Sequence, residues 1–147
     1  MTITTQEEAP APKVMRWSWR RHPRCVYLAR RQLERYLRYW EADELLDTGR
    51  LLLSELLTNA IHHAHVSPGR EVETVFEINE QRLRVEVSDA SNEIPIVRHP
   101  GNEDEEGRGL HLVAQMASRW GVDARKVNEA YAIGKTVWFE LDRPGGL

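Results

Sequence analysis

Two periodicities of apolar and polar residues divide the first half of the chain into elements. Around Trp17 and Trp19 apolar residues alternate with polar ones, which predicts a strand with one buried face. Over residues 24–40, and again over about 44–63, apolar residues recur three and four positions apart. This spacing is typical of amphipathic helices, so the pattern predicts two of them in succession.

The second half of the chain shows both periods. Strands are predicted over residues 72–78 and 83–87, and the short connection between them makes a β-hairpin. A third helix is predicted over 110–117, and strands near 120–125 and 137–141 follow, separated by a less regular stretch to Gly134. The order βα α ββ α ββ predicts an α/β (α+β) two-layer sandwich, in which about three helices cover one face of a mixed, mostly antiparallel sheet.

Segments without periodicity set the boundaries of this domain. Residues 1–13 contain prolines and no apolar period, so we expect a disordered leader. Residues 14–143 form one predicted domain, and residues 144–147 are a short tail. The loop over 90–107 is long for a connection inside a domain, which indicates a functional or mobile segment.

Composition narrows the setting in which the protein works. Its formal charge of -3 argues against direct binding of nucleic acid, because neutralising many phosphates usually requires a basic excess. Cys25 is the single cysteine, which excludes an internal disulfide and a cysteine-based zinc site. No apolar run approaches the ~20 residues that span a bilayer, and the first residues lack a signal-peptide pattern. We therefore expect a cytoplasmic protein that has no membrane partner.

The second predicted helix carries a carboxylate and an amide on one side. Glu55 and Asn59 are four positions apart, so they project together from the helix. An exposed polar stripe would explain such a pair on an arbitrary amphipathic helix. The apolar face of this helix is supplied by Leu51, Leu52, Leu56, Leu57, Ala60 and Ile61.

Three further features follow in order along the chain. A buried strand ends at Asp89, whose carboxylate can accept a hydrogen bond from an exocyclic amine such as that of adenine, although an aspartate there is often turn chemistry. Gly107 and Gly109 open a helix, where the backbone N–H groups can approach a phosphate. The Gly-Lys-Thr run at 134–136 leads into a strand, so it does not form a Walker-type phosphate loop.

Taken together, these segments resemble the GHKL (Bergerat-fold) ATPase superfamily, and within it the bacterial anti-sigma-factor serine/threonine kinases. The resemblance covers nearly all of residues 15–142. Its motifs are Ser-Glu-Leu-Leu-Thr-Asn-Ala at 54–60, Asp-Ala-Ser at 89–91, Gly-Arg-Gly-Leu-His-Leu-Val at 107–113, and the segment 134–141. Four motifs in the same order make a chance match improbable.

The resemblance implies ATP and Mg²⁺ as ligands and gives each motif a role. Asn59 is similar to the family's magnesium ligand, and an amide oxygen suits this hard cation. Glu55 resembles the general base that takes a proton from an attacking hydroxyl. Asp89 resembles the residue that binds adenine, supported by the hydroxyl of Thr136 through a water.

The remaining ATP-binding residues are implied at the phosphate end. Gly107 and Gly109 resemble the glycines of the phosphate loop, with Leu110 following them, and Arg108 or Lys135 would add positive charge.

Two departures from the wider superfamily qualify these roles. Ser91 stands where many members have glycine, and a serine there matches the anti-sigma kinase branch. Four acidic residues at 103–106 precede the phosphate glycines and would repel a triphosphate unless they face solvent. The loop that contains them is expected to be a lid that closes over the nucleotide.

The resemblance also implies partners: a sigma factor that is sequestered, an anti-sigma antagonist whose serine is phosphorylated, and a second copy of the chain in a homodimer. Eight arginines between residues 16 and 38, several of them on one stripe of the first helix, could dock an acidic partner or be a solvated face. The alternative function is a non-catalytic ATP-binding interaction module of the same fold. A histidine kinase is disfavoured because no helical pair with a phosphoacceptor histidine precedes the domain.

Overall fold

The computed structural model describes residues 13–63, 71–89, 105–128 and 131–145. The predicted leader, apart from residue 13, and residues 90–104 of the predicted lid lie outside these residues. The elements are β1 (Val14–Arg20), α1 (Arg24–Tyr39), α2 (Leu46–His63), β2 (Glu71–Ile78), β3 (Arg82–Asp89), α3 (Glu105–Met116), β4 (Arg119–Asn128) and β5 (Tyr131–Asp142), with a single 3₁₀ turn (Asp43–Leu45) before α2.

The five strands form one sheet in the order β1-β2-β3-β5-β4, with β1 and β4 at its edges. Every strand pair among the described residues is antiparallel. The predicted sandwich is therefore confirmed, and the expected mixture of parallel and antiparallel pairing is not found. The described residues of the stretch to Gly134, predicted to be less regular, belong to β4 and β5, whose pairing shifts register after Arg125. Such a shift interrupts the two-residue period, so alternation alone misses the strand.

The two faces of the sheet differ in chemistry. On β3, Leu83, Val85 and Val87 turn to the helices and are buried. Their cross-strand partners on β5 are Leu141, Phe139 and Val137, which are also buried, so the core lies between the helices and these central strands. The opposite face carries no helix among the described residues, and its side chains are mostly charged.

Trp138 and Glu140 organise this uncovered face. The Arg84 guanidinium lies 4.1 Å from the centre of the Trp138 ring, whose other side approaches Gly121 so closely that a Cβ there would be 2.7 Å from it. The Glu140 carboxylate accepts hydrogen bonds from Arg119 and Arg84, at 2.8 and 3.3 Å. Burial raises the pKa of Glu140, but these two guanidinium groups outweigh it and lower the pKa below its usual value. Charged side chains of this face therefore pair with one another.

Helix α1 packs over the β1–β2 end of the sheet. The Tyr36 hydroxyl donates to the carbonyl of Lys13, and its ring lies 5.7 Å from the Phe76 ring. The Trp19 indole N–H donates to the Thr74 hydroxyl at 2.9 Å, which satisfies a buried polar group on β2. Trp17 was expected to share the buried face, but it is 52% exposed and lies on β1, at the edge of the sheet.

Helix α2 is the centre of the helical layer and contacts α1, α3 and the sheet. The predicted apolar face is correct in its main members but not at its margins. Leu51 is 38% exposed, whereas Leu53 is fully buried and was not predicted. A helix packed on both sides buries a wider arc than an amphipathic surface helix, and this arc extends toward Leu53. The buried side chains of α2 are Leu52, Leu53, Leu56, Leu57 and Ala60.

Candidate functional site

The carboxyl-terminal half of α2 reaches the end of the sheet at which β3 finishes. Gly49, near the start of α2, lies against Leu83, with a distance of 3.7 Å from its Cβ position to a Leu83 methyl carbon. From there the helix continues to residue 63, and the chain re-enters the sheet at β2, where Glu73 is opposite Ser88. Glu55 and Asn59 are consequently carried toward the sheet end that holds Asp89.

Helix α3 approaches the same end from the other side. It finishes at Met116, and the Ser118 N–H donates to the Glu140 carbonyl at 2.9 Å, at the far end of β5 from Lys135. The amino-terminal end of α3 therefore points away from Glu140, while buried Leu110 and Val113 hold the helix on the core. Chain direction alone thus brings α2, the end of β3 and the start of α3 together.

Glu55 and Asn59 lie side by side, and each is half-buried rather than exposed. Neither side chain makes a hydrogen bond or ion pair with another described residue. Burial raises the pKa of the Glu55 carboxyl above its ordinary value. A polar stripe that served only solubility would be exposed, so the pair is placed as ligand-binding groups would be.

Asp89 and Lys135 form a buried ion pair across β3 and β5. They are directly opposite in the strand register, and the Lys135 ammonium is 3.3 Å from an Asp89 carboxylate oxygen. Their side chains are only 4% and 8% exposed, respectively. The odd-numbered residues of β3 and β5 face the helices, and Asp89 and Lys135 belong to this set. The pair therefore lies at the edge of the core, on the side of α2 and α3.

Thr136 lies on the other face of the sheet. Its hydroxyl is 2.7 Å from that of Ser88, its cross-strand partner, and successive strand residues point to opposite faces. Among the described residues it is therefore Lys135, and not Thr136, that meets the Asp89 carboxylate. Two roles stay predictions: support of a base by Thr136 through a water, and a contact between Lys135 and a phosphate. The structure places the Lys135 side chain beside Asp89.

The predicted phosphate glycines belong to the first turns of α3. The helix begins at Glu105, two residues before Gly107, so Gly107, Arg108 and Gly109 are helical in backbone rather than a loop that leads into the helix. Glu105 and Glu106 thereby occupy the first two helical positions, where the positive end of the helix dipole favours acidic residue types. The unpaired backbone N–H groups of such a helix start are suited to phosphate oxygens. Ser91 lies outside the described residues.

The described donors of the site can be compared with the ligands that magnesium prefers. No group of three His, Cys, Asp or Glu side chains within the described part of the chain could hold a metal ion. Asn59 offers one amide oxygen, and Mg²⁺ is commonly held by one or two protein oxygens together with waters and substrate phosphates. Asn59 would thus hold a magnesium ion that arrives with a nucleotide.

Comparison with protein-family models supplies the deciding observation. The model of the histidine kinase-like ATPase domain matches residues 20–140, from the end of β1 to the end of β5. The chain belongs to the histidine kinase-like ATPase domain family. Membership supports the GHKL-type resemblance and indicates ATP as the ligand, with Mg²⁺ as its usual companion in such domains. No curated protein matches the chain.

In the ranges that the structure describes, no helix combines the length with the apolar content that crossing a bilayer requires.

Lys135 was named from the sequence, with Arg108, as a residue that could add positive charge at the phosphates, and the ion pair between Lys135 and Asp89 was not predicted. The strand period contains a signal for this ion pair. Val137, Phe139 and Leu141 are predicted core residues, so Lys135 must share their face, and Thr136 must not.

Replacement of Asn59 tests the site of the ATPase domain directly. Asn59→Ala is expected to weaken binding of ATP in the presence of Mg²⁺ by at least about tenfold, because the cation loses an oxygen ligand. Asn59→Asp keeps an oxygen at the same position and serves as the matched variant, which should retain magnesium-dependent binding. Isothermal titration with and without Mg²⁺ measures both. Equal affinity of Asn59→Ala and the unaltered protein would show that the amide is not at the metal.

Proposed function

We propose that this protein is an ATP-dependent serine/threonine protein kinase that also acts as an anti-sigma factor. In this proposal it sequesters a sigma factor and phosphorylates a serine on an anti-sigma antagonist. The observation that carries the kinase part is the half-buried Glu55, unpaired among the described residues and one helical turn before Asn59. A module that only bound ATP would not require a carboxylate there.

Glu55 would act as the general base. Its carboxylate takes the proton of the serine hydroxyl while the serine oxygen forms a bond to the γ-phosphorus, and the bond from that phosphorus to the bridging oxygen breaks to release ADP. A raised pKa makes Glu55 a better proton acceptor than an ordinary exposed carboxylate. When bound, the magnesium ion held by Asn59 neutralises charge on the phosphates. The backbone N–H groups at the start of α3 would orient those phosphates.

Phosphoryl transfer can be tested with labelled ATP and a purified antagonist. We expect phosphoserine on the antagonist, and Glu55→Gln should reduce the rate by about 10²-fold or more, with ATP affinity almost unchanged. Because the base must be ionised, the rate should fall as the pH drops through the pKa of Glu55, which lies above that of a free glutamate. Glu55→Gln should remove this part of the pH profile.

The matched control for that experiment is Glu80→Gln, which changes an exposed glutamate in the β2–β3 turn. It should transfer phosphate at the unaltered rate. Tight ATP binding without any phosphoserine would contradict the kinase and favour the non-catalytic ATP-binding module.

A basic groove on α1 supports a protein partner. Tyr27, Arg31, Glu34, Arg35 and Arg38 line a surface concavity of ≈ 290 Å³. Arg31 donates to the Tyr27 hydroxyl at 3.2 Å, and Arg38 is 2.8 Å from a Glu34 oxygen. Arg35 makes no such contact with a described side chain, so its guanidinium is the one best placed to bind an acidic surface of the sigma factor.

Charge reversal in the groove tests the sigma-factor interaction. Arg35→Glu is expected to weaken sigma-factor binding by about tenfold or more, chiefly at low salt, since it places a carboxylate opposite an acidic surface. Arg30→Glu makes the same change at an exposed position of α1 outside the groove and should have little effect. Equal losses in both variants, measured by surface plasmon resonance at two salt concentrations, would refute the groove as the docking site.

The edge strand β1 supports the proposed homodimer. Among the described residues β1 pairs with β2 alone, and its Trp17 and Val14 side chains are 52% and 46% exposed. An uncovered edge strand with apolar side chains favours pairing with another strand.

Sedimentation velocity over a range of concentrations measures this assembly. A dimer is expected for the unaltered chain, and Trp17→Lys should shift it toward monomer because a charge then enters the strand pair. Tyr39→Lys, which alters an aromatic residue of 42% exposure at the end of α1, is the control and should stay dimeric. A monomeric unaltered chain at every concentration would rule the dimer out.

A further inference from the structure

The groove on α1 has a regular geometry that its charge alone does not explain. Its lining residues fall into two rows along the helix, in each of which the residues are four positions apart: Tyr27, Arg31 and Arg35 in the first row, Glu34 and Arg38 in the second. Side chains four apart form parallel ridges on a helix, and the concavity of ≈ 290 Å³ is the space between two such ridges. A ridge of a second helix packs into a groove of this kind, with an interaxial angle of about −50°.

The charge of the groove is divided unevenly between the two rows. The first row carries two guanidinium groups. In the second row the Glu34 carboxylate is 2.8 Å from the Arg38 guanidinium and 3.7 Å from that of Arg50, so the charges of Glu34 and Arg38 offset each other. An occupant should therefore be acidic and should place its carboxylates along the first row. A continuous polyanion such as a nucleic acid would also bring phosphates against Glu34, which is unfavourable.

The wider surface around the groove has the same sign of charge. Residues 14–39 contain eight arginines and a single acidic residue, Glu34, in a chain whose formal charge is -3. Such a concentration of positive charge attracts an acidic partner and favours its approach to β1 and α1 over the rest of the protein.

The first row is also arranged in advance for binding. Arg31 donates to the Tyr27 hydroxyl at 3.2 Å, and its guanidinium lies 5.9 Å from the centre of the Tyr27 ring. A guanidinium has five N–H donors, so this bond leaves others for a carboxylate. Tyr27 is 56% exposed, and tyrosine and arginine are the residue types that contribute most to binding at protein interfaces. The row thus presents an aromatic ring and then two cations, at intervals of about 6 Å.

We propose that the segment of the sigma factor that docks in this groove is an α-helix with one apolar residue and two carboxylates in a single ridge, each four residues from the next. Ridge residues of a helix are also about 6 Å apart, so each of them meets one residue of the row. The apolar side chain packs on Tyr27, and the carboxylates accept hydrogen bonds from Arg31 and Arg35. The proposal rests on the proposed function in one respect, namely that the partner is a sigma factor.

The geometry can be tested with synthetic helical peptides as probes. The first is an alanine-rich peptide of about 20 residues with a leucine and two glutamates at intervals of four. It is titrated at low salt into the full chain, and NMR signals of the arginine Nε–H groups report its position. We expect the signals of Arg31 and Arg35 to shift.

Two further peptides of the same charge separate shape from simple attraction. In the first, the central glutamate is moved by two positions, which places it on another side of the helix. It should bind about fivefold or more weakly, because one ion pair is lost. In the second, a central proline interrupts the helix, and the affinity should fall by a similar factor. Equal affinity of all three peptides would overturn the helical geometry, since the groove would then attract an acidic chain of any shape.

Variants of exposed residues on α1 test the location. Arg35→Gln should weaken binding of the first peptide about fivefold, whereas Arg30→Gln, outside the groove, should leave it unchanged. Equal effects of the two variants would contradict docking in the groove. Tighter binding of a single-stranded oligonucleotide of equal charge, with shifts of the same arginine signals, would also overturn the proposal.

Failure of this inference can be told apart from failure of the proposed function. If a sigma factor binds the full chain and loses affinity in Arg35→Glu, but the three peptides bind equally, only the helical geometry is refuted. If the first peptide is preferred and no sigma factor binds the full chain, the sigma factor is refuted as the partner, and the proposed function with it.

Discussion

The packing of α2 is the constraint on which the rest of the structure depends. Its buried leucines lie between the sheet, α1 and α3, and full burial of one such side chain contributes roughly 1.5–3 kcal/mol. This contact determines which residues of α2 remain at its margin. Glu55 and Asn59 are half-buried because the helix is enclosed on most of its circumference, and a polar pair at that margin opens toward the site.

The strict alternation of β3 and β5 then divides charged residues between two environments. On the uncovered face, Arg84 and Arg119 surround Glu140 in partly exposed ion pairs, which water helps to solvate. On the helix-covered face, Asp89 and Lys135 are paired with little exposure to water. Electrostatic interactions are screened in the first environment and less screened in the second, so the same residue types interact more strongly on the helix-covered face.

The site is assembled from the ends of elements rather than from one continuous motif. Family membership and the match over residues 20–140 indicate ATP binding, and the chain directions show how α2, β3 and α3 come to share one end of the sheet. The proposed kinase activity adds a general base to this arrangement. The surfaces proposed for the sigma factor and for the second copy of the chain are different ones, namely the outer side of α1 and the edge of β1.

The sequence by itself determined the elements, the layer arrangement and the placement of Glu55 and Asn59 on the same side of one helix. Helical and strand periods are local properties, and the spacing of residues expresses them directly. Only the tertiary structure decided that Leu53 is buried and Trp17 is exposed, since both depend on which neighbouring helix covers them. The same holds for Lys135. Its identity suggested a phosphate ligand, but its partner is set by the β3–β5 register, and a register between strands about fifty residues apart cannot be read from local spacing.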